Sequence, residues 1–207
     1  MDPIASHIER AVIALVADRG SEARAELLAI DYRSLVDMRA AAQSRVWAAN
    51  GVASGYKPPL PGAGRQPARQ ADIRATFARD RYTCRYAHCQ RPTVDLAVLK
   101  LLSKTFPDVL PYHSNWRPVD RHILYWTYST SLEHRVPFPA GGTSAADNLL
   151  TACYQCNDVK NYLPLDVLGW TVSPPADVSW QGLTEYLSSL RAAVARAQLR
   201  ETGAQWW

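Results

Sequence analysis

The four cysteines constrain the fold more than any other feature of this sequence. Cys84-x4-Cys89 and Cys153-x2-Cys156 form two close pairs, with no cysteine left over. Such spacing lets one turn present two thiolates to a tetrahedral ion, and close pairs in a reducing compartment favour metal ligation over disulfides. We therefore predict a closed, structural four-thiolate Zn²⁺ site; four unconnected buried thiols are the alternative. His88, next to Cys89, is expected to point away from it.

Composition indicates a globular chain and argues against a membrane protein. Of the 207 residues, 47% are hydrophobic and 20% are charged, which suffices for a buried core. No apolar run approaches the roughly 20 residues that span a bilayer, and residues 1–4 lack the features of a secretory signal. We expect a cytoplasmic protein with no membrane partner.

Hydrophobic periodicity predicts helices over residues 1–50, which we treat as an N-terminal helical region. Gly20 is expected to end the first helix and Ser21 to cap the second. The pair is expected to pack internally, and a homodimer interface is the alternative. The apolar stripes are formed by Ile4, Ile8, Val12 and Leu15, and then by Leu28, Tyr32, Leu35, Met38, Ala42 and Val46.

The remaining chain divides by composition. Residues 51–70 contain eight Gly and Pro residues and are predicted to be a linker. A domain over 71–170 begins with a short helix and carries an insert at 92–130. Within that insert, Thr93 is expected to cap a helix that Pro107 ends, and an aromatic-rich stretch without periodicity follows. Residues 171–207 are a C-terminal extension with an amphipathic helix, for which Ser179 is a candidate cap.

Positive charge is concentrated in one stretch. Residues 51–91 carry eight basic and two acidic side chains, a local net charge of +6, whereas the whole chain carries +4. Such a stretch could bind nucleic-acid phosphates by releasing counterions. Arg81 and Arg85 are candidate DNA contacts on this basis. A solvated basic loop is the alternative.

Four short motifs follow in order between and through the cysteine pairs. They are Glu133-His134 with Pro137, then Gly141-Gly142, then Asn148-Leu149, and finally Cys153-x2-Cys156-Asn157 with Lys160. Fourteen positions separate His134 from Asn148, and nine separate Asn148 from Asn157. In this order and spacing, residues 71–170 resemble the HNH endonuclease family.

The resemblance implies an α+β fold. At its centre would be a ββα-metal HNH core with the four-cysteine zinc site, flanked by the N-terminal helices, the aromatic-rich insert and the C-terminal helix. Strands are expected near 131–136 and 149–152, joined by a loop, with a short helix at about 154–162. Asn157 and Lys160, three positions apart, would share one face of that helix.

The resemblance also implies roles for individual residues. His134 would be the general base that takes a proton from water. Glu133 and Asn157 would bind one catalytic Mg²⁺ or Mn²⁺, because hard cations prefer oxygen ligands. Asn148 would orient His134 or the loop that carries it. Lys160 and the residue after the histidine, Arg135, would contact phosphate.

Two departures from the family pattern bear on the metal. Glu133 stands where Asp is more common, and Asn157 where the third motif residue is often His. The function expected from the resemblance is hydrolysis of DNA, most simply double-stranded DNA, by an endonuclease. Alternatives are a zinc-stabilised nucleic-acid-binding module without catalysis, and a ribonuclease or toxin on the same scaffold. His113 and His122 are expected to pack within the aromatic insert.

Overall fold

The computed structural model describes residues 2–53, 66–115 and 120–203. Most of the predicted linker and Trp116 of the insert lie outside these ranges. The described elements are α1 (Pro3–Val16), α2 (Gly20–Leu28), α3 (Tyr32–Ala53), α4 (Gln70–Arg79), α5 (Leu96–Thr105), α6 (Ile123–Tyr128), β1 (Thr130–His134), β2 (Leu149–Cys153), α7 (Tyr154–Lys160), α8 (Leu165–Leu168) and α9 (Leu187–Gly203). Helices with one small antiparallel sheet make the chain α+β, as predicted.

The N-terminal region contains three helices rather than the predicted pair. Gly20 begins α2 instead of ending α1, and Ser21 lies inside that helix rather than capping it. The first reversal uses Asp18 in a left-handed conformation, with φ of 64°. At the second, the Asp31 carboxylate accepts a hydrogen bond from the Arg33 amide (3.0 Å). The predicted second stripe therefore spans a break, which leaves Leu28 62% exposed.

Helix boundaries elsewhere follow side-chain capping. The Asp95 carboxylate accepts from the Ala97 amide (2.8 Å), so α5 begins at Leu96 and Thr93 is not its cap. Thr93 is instead buried, and its hydroxyl donates to the Tyr82 carbonyl (2.8 Å). At the C-terminal end, α9 begins at Leu187, several residues after Ser179, so Ser179 does not cap it either.

Most of the helices share one apolar core. It combines buried residues of α1, α2, α3, α5, α6 and α9. A second, small cluster joins Tyr86 and Ala152 to three of the four cysteines, with Cys89 packed against it. No helix in the described ranges combines the length and the apolar character that crossing a bilayer requires.

The two strands and α7 form a continuous β–β–α unit. β1 pairs antiparallel with β2, with Glu133 opposite Leu150 and His134 opposite Leu149. β2 runs directly into α7, with Cys153 at the helix N-cap. α7 is joined to α3 by the Gln155 side-chain amide, which donates to the Met38 carbonyl (2.7 Å). These three elements match the predicted strands and helix to within about two residues at most boundaries.

Candidate metal centre and active site

The four cysteine sulfurs come together in one buried cluster. All four Sγ atoms lie within 4.8 Å of one another, and those of Cys89 and Cys153 are 3.9 Å apart. Tetrahedral zinc with Zn–S bonds of about 2.3 Å separates its sulfurs by about 3.8 Å. None of the four is in a disulfide. The cluster can therefore hold a metal such as zinc, and four thiolates would leave no open position.

Backbone hydrogen bonds build the first half of this cluster. The Cys84 amide donates to the Arg91 carbonyl (2.8 Å), and the Cys89 amide donates to the Tyr86 carbonyl (2.9 Å). The turn closes through Gln90, whose φ is 47°. The Arg85 amide then donates to the Thr151 carbonyl of β2 (2.9 Å), which brings the turn against the second cysteine pair.

His88 lies against the cluster, contrary to the expectation that it points away. Its Nε2 is 3.8 Å from Cys156 Sγ. The ring packs edge-on to Trp170, with centroids 4.3 Å apart, and is stacked with Tyr86. Because these two aromatic side chains fix the imidazole, it turns back over the sulfurs instead of following the chain outward.

His134 is the last residue of β1, and its side chain is half-buried. The ring packs against Phe138, with centroids 4.4 Å apart, and Nε2 is 3.3 Å from Ser144 Oγ. The Ser144 hydroxyl donates its single proton to the Gln66 carbonyl (2.8 Å). Ser144 can then only accept from His134. This arrangement suits the tautomer of His134 that carries its proton on Nε2.

Asn148 holds the loop that follows His134. Its Oδ1 accepts from the Val136 amide (2.8 Å), while Nδ2 donates to the carbonyls of Val136 (3.0 Å) and Thr143 (2.7 Å). The Asn148 carbonyl also accepts from the Arg135 amide (2.8 Å). One side chain thus fixes both ends of the loop. These contacts are of the kind expected for a residue that orients the loop beside His134.

Glu133 and Lys160 form a buried ion pair. Lys160 Nζ lies 3.0 Å from Glu133 Oε1, and their side chains are 0% and 5% exposed. Burial raises the pKa of the Glu133 carboxyl, and Lys160 acts in the opposite direction. Nζ also donates to the His134 carbonyl (2.8 Å). Lys160 therefore has partners other than the predicted phosphate, and reaching a phosphate would require this pair to open.

Asn157 faces the same strand from α7. Its Nδ2 donates to Ser131 Oγ (2.9 Å) and to the Leu132 carbonyl (2.7 Å). The amide nitrogen is thereby committed to β1, which leaves the oxygen as the atom that could bind a cation or a water. Arg135, on the other side of His134, is exposed. Its side chain is therefore accessible to the phosphate that it is predicted to contact.

The basic stretch divides into internal and exposed arginines. Arg85 and Arg79 both pair with the fully buried Asp80, which also accepts from the Thr151 amide (2.8 Å). This network joins the end of α4 to β2, so Arg85 is already engaged within the protein. Arg81 is exposed. Lys57 and Arg65 of the same stretch fall in a part of the chain that the structure does not describe.

The ligands predicted for a second, catalytic cation are not arranged to bind one. Among the described residues, the four cysteines are the one group of three or more Cys, His, Asp or Glu side chains close enough to share an ion. Glu133, a predicted ligand, is turned into its ion pair with Lys160. Only the Asn157 oxygen remains from the predicted pair of protein ligands.

The histidines of the insert have local roles. His122 Nδ1 accepts from the Leu124 amide (3.2 Å) and caps α6, and His113 Nδ1 accepts from the Asn115 amide (3.1 Å). Three residues around the site were not singled out from the sequence: Tyr86, Ser144 and Asp80. Ser144 and Asp80 lie close in sequence to motif residues. Their roles, however, depend on partners far along the chain: Ser144 contacts Gln66, 78 positions away, and Asp80 contacts Thr151, 71 positions away.

No family model matches this sequence, and comparisons with curated proteins and with solved structures find no match either. The candidate function therefore rests on the geometry of the β1–β2–α7 unit and its cysteine cluster.

Proposed function

We propose that this protein is an HNH-type endonuclease that hydrolyses phosphodiester bonds in DNA, with His134 as the general base. The observation that carries the proposal is the environment of the His134 ring. It stands at the end of β1, half-buried, with Nε2 directed to Ser144 and the adjoining loop fixed by Asn148. A histidine oriented in this way is suited to proton transfer near neutral pH.

The proton-transfer step follows from the hydrogen bonds at the ring. The His134 ring takes the proton of an attacking water. The hydrogen-bonded pair of Ser144 and Gln66 lies at the Nε2 edge of the ring and helps to orient it. The exposed Arg135 guanidinium stabilises the charge that develops on the phosphate, because its planar donors match phosphate oxygens.

We include a divalent ion in the proposal because the resemblance to the HNH family implies one. When bound, Mg²⁺ or Mn²⁺ would neutralise phosphate charge and stabilise the leaving oxygen. Because Glu133 is paired with Lys160, the residues as arranged do not form its site, and the proton-transfer step above is independent of it. We expect the structural zinc and this exchangeable ion to be separate requirements.

Double-stranded DNA is the substrate that we propose. A single site of this kind cuts one strand, so cleavage of both strands requires two sites or two successive events. A homodimer through the N-terminal helices would supply two sites. Among the side chains of α2 and α3 that the structure describes, Leu28, Tyr32 and Val36 are large, apolar and exposed.

The decisive experiment is His134→Ala assayed on supercoiled plasmid with Mg²⁺ or Mn²⁺. Removing a positioned base lowers the rate by about 10²–10⁴-fold, and zinc content, folding and DNA affinity should stay close to wild type. His113→Ala is the matched control, because His113 caps a local turn, and it should cleave normally. Wild-type cleavage by His134→Ala together with loss of activity in His113→Ala would refute the assignment.

One observation favours a second candidate function. Because Glu133 is occupied by Lys160, the chain could be a zinc-stabilised nucleic-acid-binding module without catalysis. Retained DNA affinity with no cleavage at any Mg²⁺ or Mn²⁺ concentration would identify that module. A structured RNA assayed in parallel tests the ribonuclease or toxin reading, which predicts cleavage of RNA in preference to DNA.

A further inference from the structure

The Glu133–Lys160 ion pair encloses the backbone of His134. The His134 amide donates to Glu133 Oε1 (2.7 Å), and Lys160 Nζ donates to the His134 carbonyl (2.8 Å). Nζ also donates to the same Oε1 (3.0 Å). Both backbone polar groups of one residue are therefore held by two side chains that hold each other. Those two side chains come from different elements, β1 and α7.

The second oxygen of Glu133 is also turned into the protein. Glu133 Oε2 and Tyr86 Oη are buried, and neither has a hydrogen bond of good geometry among the described residues. The two groups lie close together, so the Glu133 charge adds to the rise that burial causes in the pKa of Tyr86. A protonated phenol is a donor, so it suits a carboxylate oxygen. Neither carboxylate oxygen of Glu133 faces solvent.

We propose that Glu133 is a positioning residue that acts with Lys160 on the backbone of His134, and that it is not a ligand of the catalytic ion. The inference rests on the proposed function, for which the resemblance had assigned Glu133 to the metal. Neighbouring side chains on a strand point to opposite faces. Glu133 can therefore face α7 while the His134 ring faces Ser144.

The pair also connects the site to the cysteine cluster. Tyr86 lies between Cys84 and Cys89 in sequence and packs in the same small cluster as Cys84, Cys153 and Cys156. α7 carries both Cys156 and Lys160. Metal ligation at the cysteines would thus set the position of both partners that surround Glu133, and through them the backbone at His134.

Three variants test the proposal: Glu133→Gln, Lys160→Met and the double variant. Each is compared for zinc content, cleavage rate and the Mg²⁺ concentration that gives the half-maximal rate. Lys104→Met is the matched control, because Lys104 is an exposed lysine on α5. Amide hydrogen exchange at His134 provides a readout that does not depend on cleavage.

If the pair positions His134, each single variant lowers kcat by about 10²-fold, because a small displacement of a catalytic group has that effect. The double variant should be no slower than the singles, since the two residues act as one unit. The half-maximal Mg²⁺ concentration should stay within about twofold of wild type. In Lys160→Met the His134 amide should exchange about tenfold faster, and in Lys104→Met it should not.

The opposite pattern overturns the proposal. A metal ligand would make Glu133→Gln require about tenfold or more additional Mg²⁺ for the half-maximal rate, with saturating ion restoring kcat. Unchanged His134 exchange in Lys160→Met would equally exclude a backbone role. Should the wild-type protein cleave no nucleic acid, the proposed function fails, and the exchange measurement still decides whether the pair holds His134.

Discussion

The loop beside His134 can pack closely because Gly142 has no side chain. A Cβ on Gly142 would lie 1.7 Å from the Val136 carbonyl oxygen and 3.0 Å from Asn148 Nδ2. These are the atoms through which Asn148 fixes the loop, and they are backbone or anchored groups that cannot swing aside. The second glycine of the Gly-Gly motif is therefore required by close packing, whereas Gly141 adopts φ of 87°.

Gly142→Ala should destabilise the protein by about 1–3 kcal/mol, the usual cost of forcing extra volume into a packed position. Cleavage should fall as well, because the hydrogen bonds of Asn148 depend on the same approach. Chemical denaturation measures the first effect. The control is Gly20→Ala, where an added Cβ meets nothing within 4 Å; equal losses in both variants would contradict the steric explanation.

The turn at 84–89 and the β1–β2–α7 unit meet at the four sulfurs and at the hydrogen bond from the Arg85 amide to the Thr151 carbonyl. The cluster around them contains few apolar residues: Tyr86 and Ala152, with Leu165, Trp170 and Val172 packed against it. A core this small gives limited hydrophobic stabilisation, and a bound metal adds its binding free energy to folding. A further attachment joins the end of α4 to β2, where the buried Asp80 accepts from the Thr151 amide (2.8 Å) and Arg79 donates to the Leu149 carbonyl (2.6 Å).

Purified protein should contain about one Zn²⁺ per chain. A strong chelator, or Cys153→Ala, should disorder β1, β2 and α7 while most of the helical signal persists, because the larger core lies elsewhere. Metal analysis measures the zinc content, and circular dichroism measures the loss of structure. Added zinc should restore the structure of the chelated wild-type protein but not that of Cys153→Ala. Well-folded protein without zinc would contradict the prediction.

Local patterns account for what the sequence could predict. The two cysteine pairs predicted the thiol cluster, and the resemblance carried by His134, Asn148 and Asn157 implied the β–β–α order. By contrast, α6 was missed because five of its six residues are buried, which leaves no amphipathic pattern. The buried position of Lys160 could not be predicted, since a lysine is almost never fully buried unless it is paired.

Segments that differ in composition share one packed interior. Residues of 1–50, of the insert 92–130 and of 171–207 all contribute to the larger core. Two polar contacts join them: Tyr128 Oη donates to the half-buried Asp2 (2.9 Å), and Trp180 Nε1 donates to the buried Thr93 carbonyl (2.7 Å). Composition marked the boundaries between these segments but carried no signal for long-range packing.

A substitution in α1 should therefore lower the stability of the whole shared core. Ile8→Ala removes a fully buried side chain and should cost about 2–5 kcal/mol. The matched control on the same helix is Ile13→Ala, where the side chain is 39% exposed and the loss should be much smaller. Hydrogen exchange should report accelerated opening of α5 and α9 in Ile8→Ala; acceleration confined to α1 would contradict a shared core.

The cluster of four sulfurs gives the molecule a chemical vulnerability that its helices do not share. Thiolates are oxidised stepwise by peroxides and bind soft ions such as Cu⁺ in preference to hard ones. Either reaction would displace a metal bound to the cysteines and loosen the strand that ends in His134, while the apolar core, which contains no cysteine, would survive. Oxidative or heavy-metal stress would thus inactivate the proposed nuclease before it denatured the protein.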